Sequence, residues 1–227
     1  MNKRDDLQFV LPGEERRHMK DLPFVHKFHT PESPDGSVIV LLHGTGGNES
    51  DLMPLAVRLN PRAILLGVRG RSTEEGITRW FRRFDAMTYD QRDIRAEAQA
   101  FAAFVDGAIE HYGLEPDKIT FLGYSNGANL LAAVLRLHPG VVRQAILLRG
   151  IEALDEAPAV DLNNSKVLLL TGAQDPYRRM VPALEVSLNA GGASLDAPLI
   201  DAGHELSPDD LRIAAEWLAS VRTGEPK

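Results

Sequence analysis

Five short apolar runs, spread along the 227 residues of this chain, constrain its fold more than any other feature. Each run has the length of a strand and lacks the polar alternation of a half-exposed one, which is typical of parallel strands covered on both faces of a sheet. The runs are Val38 to Leu42, Ala63 to Val68, Ile119 to Leu122, Ala145 to Leu148 and Val167 to Leu170. They predict the buried strands of a mainly parallel sheet.

Amphipathic segments alternate with these runs and predict helices. Glu97 to Tyr112 has apolar residues at three- and four-residue spacing and is ended by Gly113, and similar segments span Leu130 to Leu137 and Asp209 to Val221. The alternation predicts an α/β fold with a mainly parallel central sheet, right-handed crossovers and helices on both faces. In such sheets the ligand crevice lies beyond the carboxyl ends of the strands.

The segment Gly-Tyr-Ser-Asn-Gly, from Gly123 to Gly127, directly follows the run that ends at Leu122. A serine between two glycines at a sharp strand-to-helix turn is the pattern of a nucleophile elbow, which holds the hydroxyl of Ser125 over the end of the sheet. Glycine is required where a Cβ would collide with a neighbouring strand or helix. The string alone is also compatible with an ordinary glycine-rich loop, so the rest of the chain has to decide.

A serine hydroxyl needs a histidine to accept its proton and an acid to orient that histidine. The chain has two histidines beyond Ser125. His138 lies in a helix-ending turn before Pro139 and is interpreted as a capping residue. His204 lies in a glycine-containing loop just before the last predicted helix, and it is the candidate base.

Three aspartates compete for the role of the acid. Asp175 lies directly beyond the predicted strand that ends at Leu170, where a catalytic acid is expected, although a structural turn aspartate before proline is the alternative. Asp201 is close to His204 in sequence and is the reserve candidate. Asp161 precedes its strand and is therefore predicted at the wrong edge of the sheet. The sequence favours Asp175.

The oxyanion of an acyl-transfer reaction needs two preorganised backbone N–H donors. The amide of Asn126, directly after the serine at a helix start, is one candidate. The second is the amide of Thr45, in the glycine-rich loop that follows the run ending at Leu42. A phosphate-binding loop is disfavoured because no lysine follows at the required spacing. His43 is interpreted as a residue that braces this loop rather than as a second base.

The composition bounds the remaining possibilities. A formal charge of −7 and a pI near 5.5 disfavour a nucleic-acid partner, and the chain has no cysteine for disulfides or thiolate metal sites. We expect neither a secretory signal nor a membrane span, and therefore a cytoplasmic protein without a membrane partner. We expect a single domain over residues 1–227, with an N-terminal extension at 1–22 and a flexible tail at 222–227.

The chain resembles the phospholipase/carboxylesterase branch of the α/β-hydrolases, which is similar to acyl-protein thioesterases and dienelactone hydrolases. The resemblance spans about Ser37 to Leu218. The matching segments are Leu41 to Glu49, Arg69-Gly70, Arg79 to Arg83, Gly123 to Asn129, Gly172 to Pro176 and Gly203-His204.

The resemblance implies the α/β-hydrolase fold, Ser125, Asp175 and His204 as the catalytic triad, and Thr45 and Asn126 as the oxyanion donors. It implies a serine carboxylesterase that acts on small-molecule esters without metal or cofactor. A thioesterase or enol-lactone hydrolase with the same triad is the alternative, and a non-catalytic binding protein is a distant one. The resemblance is compatible with a homodimer.

Two departures from the family pattern affect the substrate site. The segment from Leu148 to Glu152 lacks the proline that relatives have at this strand end, and Tyr177 to Arg179 replaces an apolar continuation after the acid. The segment between Leu148 and Val167 is too short for a large helical cap, which predicts an open site. The stretch Arg71 to Tyr89 is a candidate for its wall.

Trp80 and Phe81 are the predicted substrate-binding residues of that stretch, with a place in the ordinary core as the equally weighted alternative. Arg82 and Arg83 are interpreted as solvated or paired with acids rather than substrate-binding.

Overall fold

The computed structural model of the chain describes residues 22–73, 76–156 and 158–223. The order of elements is strand and helix in alternation over most of the chain. In chain order the elements are β1 (His26–His29), β2 (Val38–Leu42), α1 (Met53–Leu59), β3 (Ile64–Val68), α2 (Gln91–Tyr112), β4 (Ile119–Tyr124), α3 (Asn126–Leu137), β5 (Gln144–Leu148), β6 (Lys166–Gly172), α4 (Val181–Ala190), β7 (Ser194–Asp196), β8 (Leu199–Ile200) and α5 (Pro208–Thr223). The predicted N-terminal extension, apart from Leu22, lies outside the described residues.

The strands form one sheet in the order β1-β3-β2-β4-β5-β6-β7. Strand β8 also pairs with β6, at Thr171 and Gly172, after the residues of β6 that pair with β7. All pairings are parallel except that of β1, which runs antiparallel to β3 at the sheet edge. The predicted mainly parallel sheet is therefore confirmed. The register aligns the carboxyl ends of the central strands, since Leu42 lies opposite Gly123 and Leu148 lies opposite both Tyr124 and Leu170.

Two apolar layers cover the sheet, one on each face. On one face α2, α3 and α4 pack through side chains such as Phe101, Leu131 and Leu184. On the other face α1 and α5 pack through Ala56 and Trp217, with the latter 1% exposed. Every central strand is covered by an apolar layer on both faces, so successive residues of the strand are apolar. This is the pattern from which the strands were predicted.

The observed elements are longer than the predicted ones at several ends. Helix α2 begins at Gln91 rather than Glu97, because the carboxylate of Asp90 accepts the N–H groups of Arg92 and Asp93 as an N-terminal cap. Helix α3 begins at Asn126, directly after the serine. Helix α5 extends to Thr223 and so includes the first two positions of the predicted tail. Residues 224–227 lie outside the described residues.

Between β5 and β6, the described residues 149–156 and 158–165 contain neither helix nor strand. This agrees with the predicted lack of a large cap. In the described part of the chain, no helix is both long enough and apolar enough to cross a membrane.

Candidate active site

Ser125 occupies the turn between β4 and α3 with a backbone conformation that is rare for a non-glycine residue. Its φ is 50° and its ψ is −113°. The turn is fixed because the N–H of Ser125 donates to the carbonyl of Leu148 at 2.8 Å. A Cβ added to Gly123 would lie 2.7 Å from the nitrogen of Ala128, and one added to Gly127 would lie 2.2 Å from the oxygen of Leu42. Both glycines therefore have the steric function that the sequence predicted.

The imidazole of His204 lies between the serine and an aspartate. Its Nε2 is 3.0 Å from the Oγ of Ser125, and its Nδ1 is 2.9 Å from Oδ2 of Asp175. Because an ionised carboxylate only accepts, Nδ1 carries the proton and donates to Asp175, and Nε2 is left to accept from the serine hydroxyl. The sheet makes this possible because Ser125 follows β4, Asp175 follows β6 and His204 follows β8, all at the same edge.

The structure separates the competing acids and histidines. The side chain of Asp175 is 4% exposed, whereas Asp201 is exposed and accepts a hydrogen bond from Gln174 at 2.7 Å. Asp161 precedes the amino end of β6, as the sequence predicted, whereas the other site residues follow the carboxyl ends of strands. His138 ends α3 with its N–H donating to the carbonyl of Val134. Only Asp175 among these aspartates is brought to His204.

The ring of His204 is also held by aromatic neighbours. Tyr124 and Tyr177 lie with ring centroids 5.7 Å and 5.3 Å from it. The hydroxyl of Tyr124 donates to the carbonyl of His204 at 3.2 Å. Burial raises the pKa of Tyr124 to about 12, so its hydroxyl stays protonated and available as a donor. The imidazole is thus oriented through its ring, its carboxylate partner and its backbone.

His43 braces the loop after β2, as predicted. Its Nδ1–H donates to the carbonyl of Gly44 at 2.7 Å, and its Nε2 accepts the N–H of Gly70 at 3.0 Å. This pair of bonds requires a neutral imidazole. Burial lowers the pKa of His43, in agreement with that requirement. Both ring nitrogens are occupied by backbone groups, which leaves His43 no part as a second base.

Thr45 and Asn126, the predicted oxyanion residues, both lie on the wall of the cavity beside Ser125. Asn126 is the first residue of α3, where amides lack an intrahelical acceptor and the helix dipole favours negative charge. Thr45 lies in the loop braced by His43, and its hydroxyl accepts from Arg79 at 3.2 Å. The next residue, Gly46, donates its N–H to the carbonyl of Thr78 at 2.8 Å.

The cavity beside Ser125 has a volume of about 390 Å³. Much of its wall comes from the long segment between β3 and α2, as the sequence analysis anticipated. The lining residues are Thr45, Ile77, Arg79, Arg83, Ala86, Tyr89, Ser125, Asn126, Asn129, Arg149, Ile151, Tyr177 and His204.

Trp80 and Phe81, the predicted substrate-binding residues, do not line this cavity. Both are 0% exposed and belong to the core cluster on the face of α2. Trp80 packs against Phe24 and Phe101, and Phe81 packs edge-on against Tyr89. The substrate-wall prediction is therefore corrected: the core alternative holds for both residues, and the neighbouring Arg79 and Arg83 reach the cavity instead. Arg82 pairs with Asp90 at 2.8 Å, in line with its predicted pairing with acids.

Arg149 is the site residue whose role the sequence did not reveal. It follows β5 with a φ of 58°, and its guanidinium is 0% exposed. It pairs with Asp210 and reaches the loop of His204. From the sequence, the segment from Leu148 to Glu152 differed from relatives only in lacking a proline, and Arg149 itself was not singled out. Within residues 22–73, 76–156 and 158–223, no group of His, Asp or Glu side chains is arranged to hold a metal ion.

Comparisons with known proteins find relatives with this fold. The solved structure of a carboxylesterase from Mesorhizobium loti is 44% identical, with a TM-score of 0.85, over 88% of this chain and 96% of that one. A Bacillus cereus carboxylesterase superimposes with a TM-score of 0.84 at 30% identity, over 88% of this chain and 96% of that one. MhqD of Bacillus subtilis, which is named as a hydrolase, is 35% identical over 80% of this chain and 92% of its own length. No family model matches the chain.

Proposed function

The chain belongs to the α/β-hydrolases, within the group of small carboxylesterases, and from this premise we propose that it is a serine esterase acting on small to medium carboxylic esters. The observation on which the proposal depends is the position of one imidazole within hydrogen-bond distance of both a serine hydroxyl and a buried carboxylate. Such an arrangement is how a weakly nucleophilic hydroxyl is activated at neutral pH. The names of the relatives add independent support for ester hydrolysis.

In the proposed acylation, Oγ of Ser125 attacks the ester carbonyl while Nε2 of His204 accepts its proton. Asp175 stabilises the imidazolium that forms, through the bond to Nδ1. The backbone N–H groups of Thr45 and Asn126 donate to the oxyanion. When the tetrahedral intermediate collapses, the same Nε2–H protonates the departing alcohol, which leaves an acyl group on Ser125.

In the proposed deacylation, water takes the place of the alcohol. Nε2 of His204 removes a proton from the water as it attacks the acyl carbonyl, and the oxyanion again accepts from the same two amides. Collapse of this second intermediate returns the proton to Oγ of Ser125 and releases the carboxylic acid. The cycle consumes one ester and one water.

The size of the cavity supports small to medium acyl groups. Its volume of about 390 Å³ lies near the lower end of ligand sites, which span roughly 300–1,000 Å³. The loop residues between β5 and β6 leave the cavity open to water rather than under a large cap.

We also propose that the chain acts as one domain, because a single sheet takes strands from His26 to Ile200. Homodimer formation and a cytoplasmic location stay predictions.

A series of p-nitrophenyl esters and acyl thioesters of increasing chain length, combined with a fluorophosphonate probe, tests the proposal. We expect turnover that is greatest for short to medium acyl chains, and a single phosphonylated peptide that contains Ser125, read by mass spectrometry. Preference for the thioester at equal acyl length would instead favour the thioesterase alternative. A folded protein that is neither labelled nor active would contradict the serine esterase altogether and favour a binding protein.

His204→Ala is the matched control for the labelling experiment. Removal of the imidazole deprives Ser125 of its base while the hydroxyl remains, so we expect labelling to be lost in a folded protein. Labelling that persists at the wild-type rate would show that the probe reports an ordinary exposed serine.

A further inference from the structure

The guanidinium of Arg149 is buried next to the segment that contains His204, and two of its N–H groups donate to that segment. Nε–H donates to the carbonyl of Gly203 at 2.8 Å, and Nη2–H donates to the carbonyl of Glu205 at 3.1 Å. The carbonyl between them, that of His204, accepts from the hydroxyl of Tyr124. Three consecutive carbonyls around the imidazole are thus held by two side chains.

Asp210 fixes the orientation of this guanidinium. The two groups form a bidentate pair at 2.6 Å and 2.9 Å, and their side chains are 0% and 1% exposed. The Oδ2 atom of Asp210 also accepts the N–H and the hydroxyl of Ser207 at 2.7 Å and 2.9 Å. The planar fork of arginine has one fixed orientation in such a pair. Two of its remaining N–H groups are therefore directed at Gly203 and Glu205, and another N–H, on Nη1, lies 3.4 Å from the carbonyl of Leu170.

The backbone of Arg149 has an unusual conformation and is anchored to a neighbouring strand. Its φ of 58° is in the left-handed region, which non-glycine residues rarely adopt. Its N–H donates to the carbonyl of Leu170 at 2.9 Å, so the residue is anchored to β6 directly before the segment that leads to Asp175. One residue therefore connects the end of β5, the end of β6, the His204 loop and α5.

We propose that Arg149, oriented by Asp210, is a positioning residue that holds the His204 loop so that the imidazole stays between Asp175 and Ser125. The proposal rests on the proposed function in taking His204 as the base. A positioning role differs from a purely structural role, in which the buried pair would act only by stabilising the fold. Buried pairs of this kind often contribute little net stability compared with apolar residues of similar volume. The direct effect of positioning is on the alignment of the imidazole, to which catalysis is sensitive over distances of about 1 Å.

The double variant Arg149→Met/Asp210→Leu tests this role. It removes both charges at once, so neither is left buried and uncompensated, and a folded protein is expected by circular dichroism. We expect kcat for a short p-nitrophenyl ester to fall by about 100-fold. KM is expected to stay within about twofold of the wild-type value, because the side chain of Arg149 is 0% exposed and therefore does not reach substrate in the cavity.

A spectroscopic measurement reports the positioning without turnover. The Nδ1 proton of His204, hydrogen-bonded to Asp175, should give a downfield proton resonance in the wild-type protein that is lost in Asp175→Asn. We expect this resonance to broaden or shift upfield in the double variant. If the wild-type protein hydrolyses no ester, the proposed function fails, whereas the resonance still decides whether Arg149 positions the imidazole.

Two further variants separate positioning from stability. Arg136→Met removes an arginine that pairs with Glu152 at 2.6 Å and is 12% exposed, but that does not contact the His204 loop. We expect it to lower the unfolding midpoint with kcat unchanged. Arg149→Lys keeps the charge but has no planar fork. Compared with the double variant, we expect its unfolding midpoint to return closer to the wild-type value than its kcat does.

Several results would overturn the proposal. These are wild-type kcat in the double variant, an unchanged His204 resonance, or a loss of kcat in Arg136→Met as large as that in the double variant. Full recovery of kcat by Arg149→Lys would also contradict it, because a lysine supplies the charge without the paired contacts.

Discussion

The indole Nε1–H of Trp80 donates to the carbonyl oxygen of His43 at 2.8 Å, and both residues are buried. The backbone N–H of Trp80 donates to Oδ1 of Asn126, also at 2.8 Å. Trp80 therefore joins the loop that contains Thr45 to the start of α3. These are the two segments that contain the predicted oxyanion donors, so this residue contributes to the site through their spacing rather than through contact with substrate.

Replacement of Trp80 by phenylalanine removes the N–H while keeping an aromatic ring in the core. We expect kcat to fall by on the order of tenfold with KM little changed, which is less than the roughly 100- to 1,000-fold cost of losing an oxyanion donor outright. Steady-state kinetics on a short ester check this. Phe104→Leu is the control, because Phe104 is equally buried but has no polar contact to either segment. Equal losses of kcat in the two variants would point to general destabilisation.

The strained backbone at Ser125 predicts a difference between two inactive variants. Ser125→Ala and Ser125→Gly both lack the nucleophile, so neither should hydrolyse esters. Because glycine adopts positive φ readily, we expect the glycine variant to be more stable than the alanine variant by about 1 kcal/mol, after the entropic cost of glycine in the unfolded chain. Urea unfolding of both variants measures the difference. Higher stability of the alanine variant would show that the turn is not strained.

Asp175 and Asp201 differ in what they contact, and their asparagine variants should differ accordingly. Asp175→Asn replaces the carboxylate next to Nδ1 of His204, and we expect kcat to fall by about 10⁴-fold, as in other triads. Asp201→Asn changes only the exposed bond to Gln174 and should stay within a few-fold of wild type. Measurement of kcat/KM for both variants checks the assignment, and the reverse order of the two losses would identify Asp201 as the acid.

The buried, neutral His43 predicts how stability depends on pH. Burial lowers its pKa in the folded protein below the ordinary value of 6.5, which the unfolded chain retains. As the pH falls below about 6.5, the unfolded chain binds a proton that the folded protein does not, so stability falls by up to about 1.4 kcal/mol per pH unit. This loss continues until the pH reaches the lowered pKa.

His43→Asn lacks this titration and isolates it. Asparagine keeps a donor for the carbonyl of Gly44, and we expect its free energy of unfolding to fall less steeply than that of wild type between about pH 7 and about pH 5.5. Urea unfolding across this range gives both slopes. Parallel slopes in the two proteins would mean that His43 takes up its proton in the folded state.

The central sheet and the convergence of Ser125, His204 and Asp175 could be predicted from the sequence because both depend on strong local signals. A strand covered on both faces must be apolar throughout, and the elbow at Ser125 requires glycine at two fixed positions. His204 and Asp175 could be chosen because parallel strands place their carboxyl ends at one edge, so position relative to a strand end decided between candidates.

Elements at the periphery gave weaker signals. Strand β1 is an edge strand whose residues alternate between partly buried and exposed, and its sequence, His-Lys-Phe-His, has little apolar character. Helix α1 has only seven residues, and α4 has a proline in its first turn and little amphipathic character. Short or edge elements are stabilised by packing on the sheet rather than by their own pattern.

The roles of Trp80 and Arg149 could not be predicted because they depend on long-range contacts. An aromatic residue among arginines fits a core and a cavity wall equally well, and only the bonds to His43 and Asn126 decide between them. An arginine at a strand end is ordinarily read as a surface charge. Its partner, Asp210, lies in α5, 61 residues later in the chain, and no local pattern connects the two.

The buried contacts of Arg149 bear on how the enzyme matures during translation. Ser125 and Arg149 leave the ribosome before His204 and Asp210, so the contacts of Arg149 with the His204 loop and with α5 can form only after residue 210 has been made. A nascent or C-terminally truncated chain therefore presents a serine without its proton acceptor. On the proposed function, such a chain is expected to lack the activated hydroxyl of the folded protein.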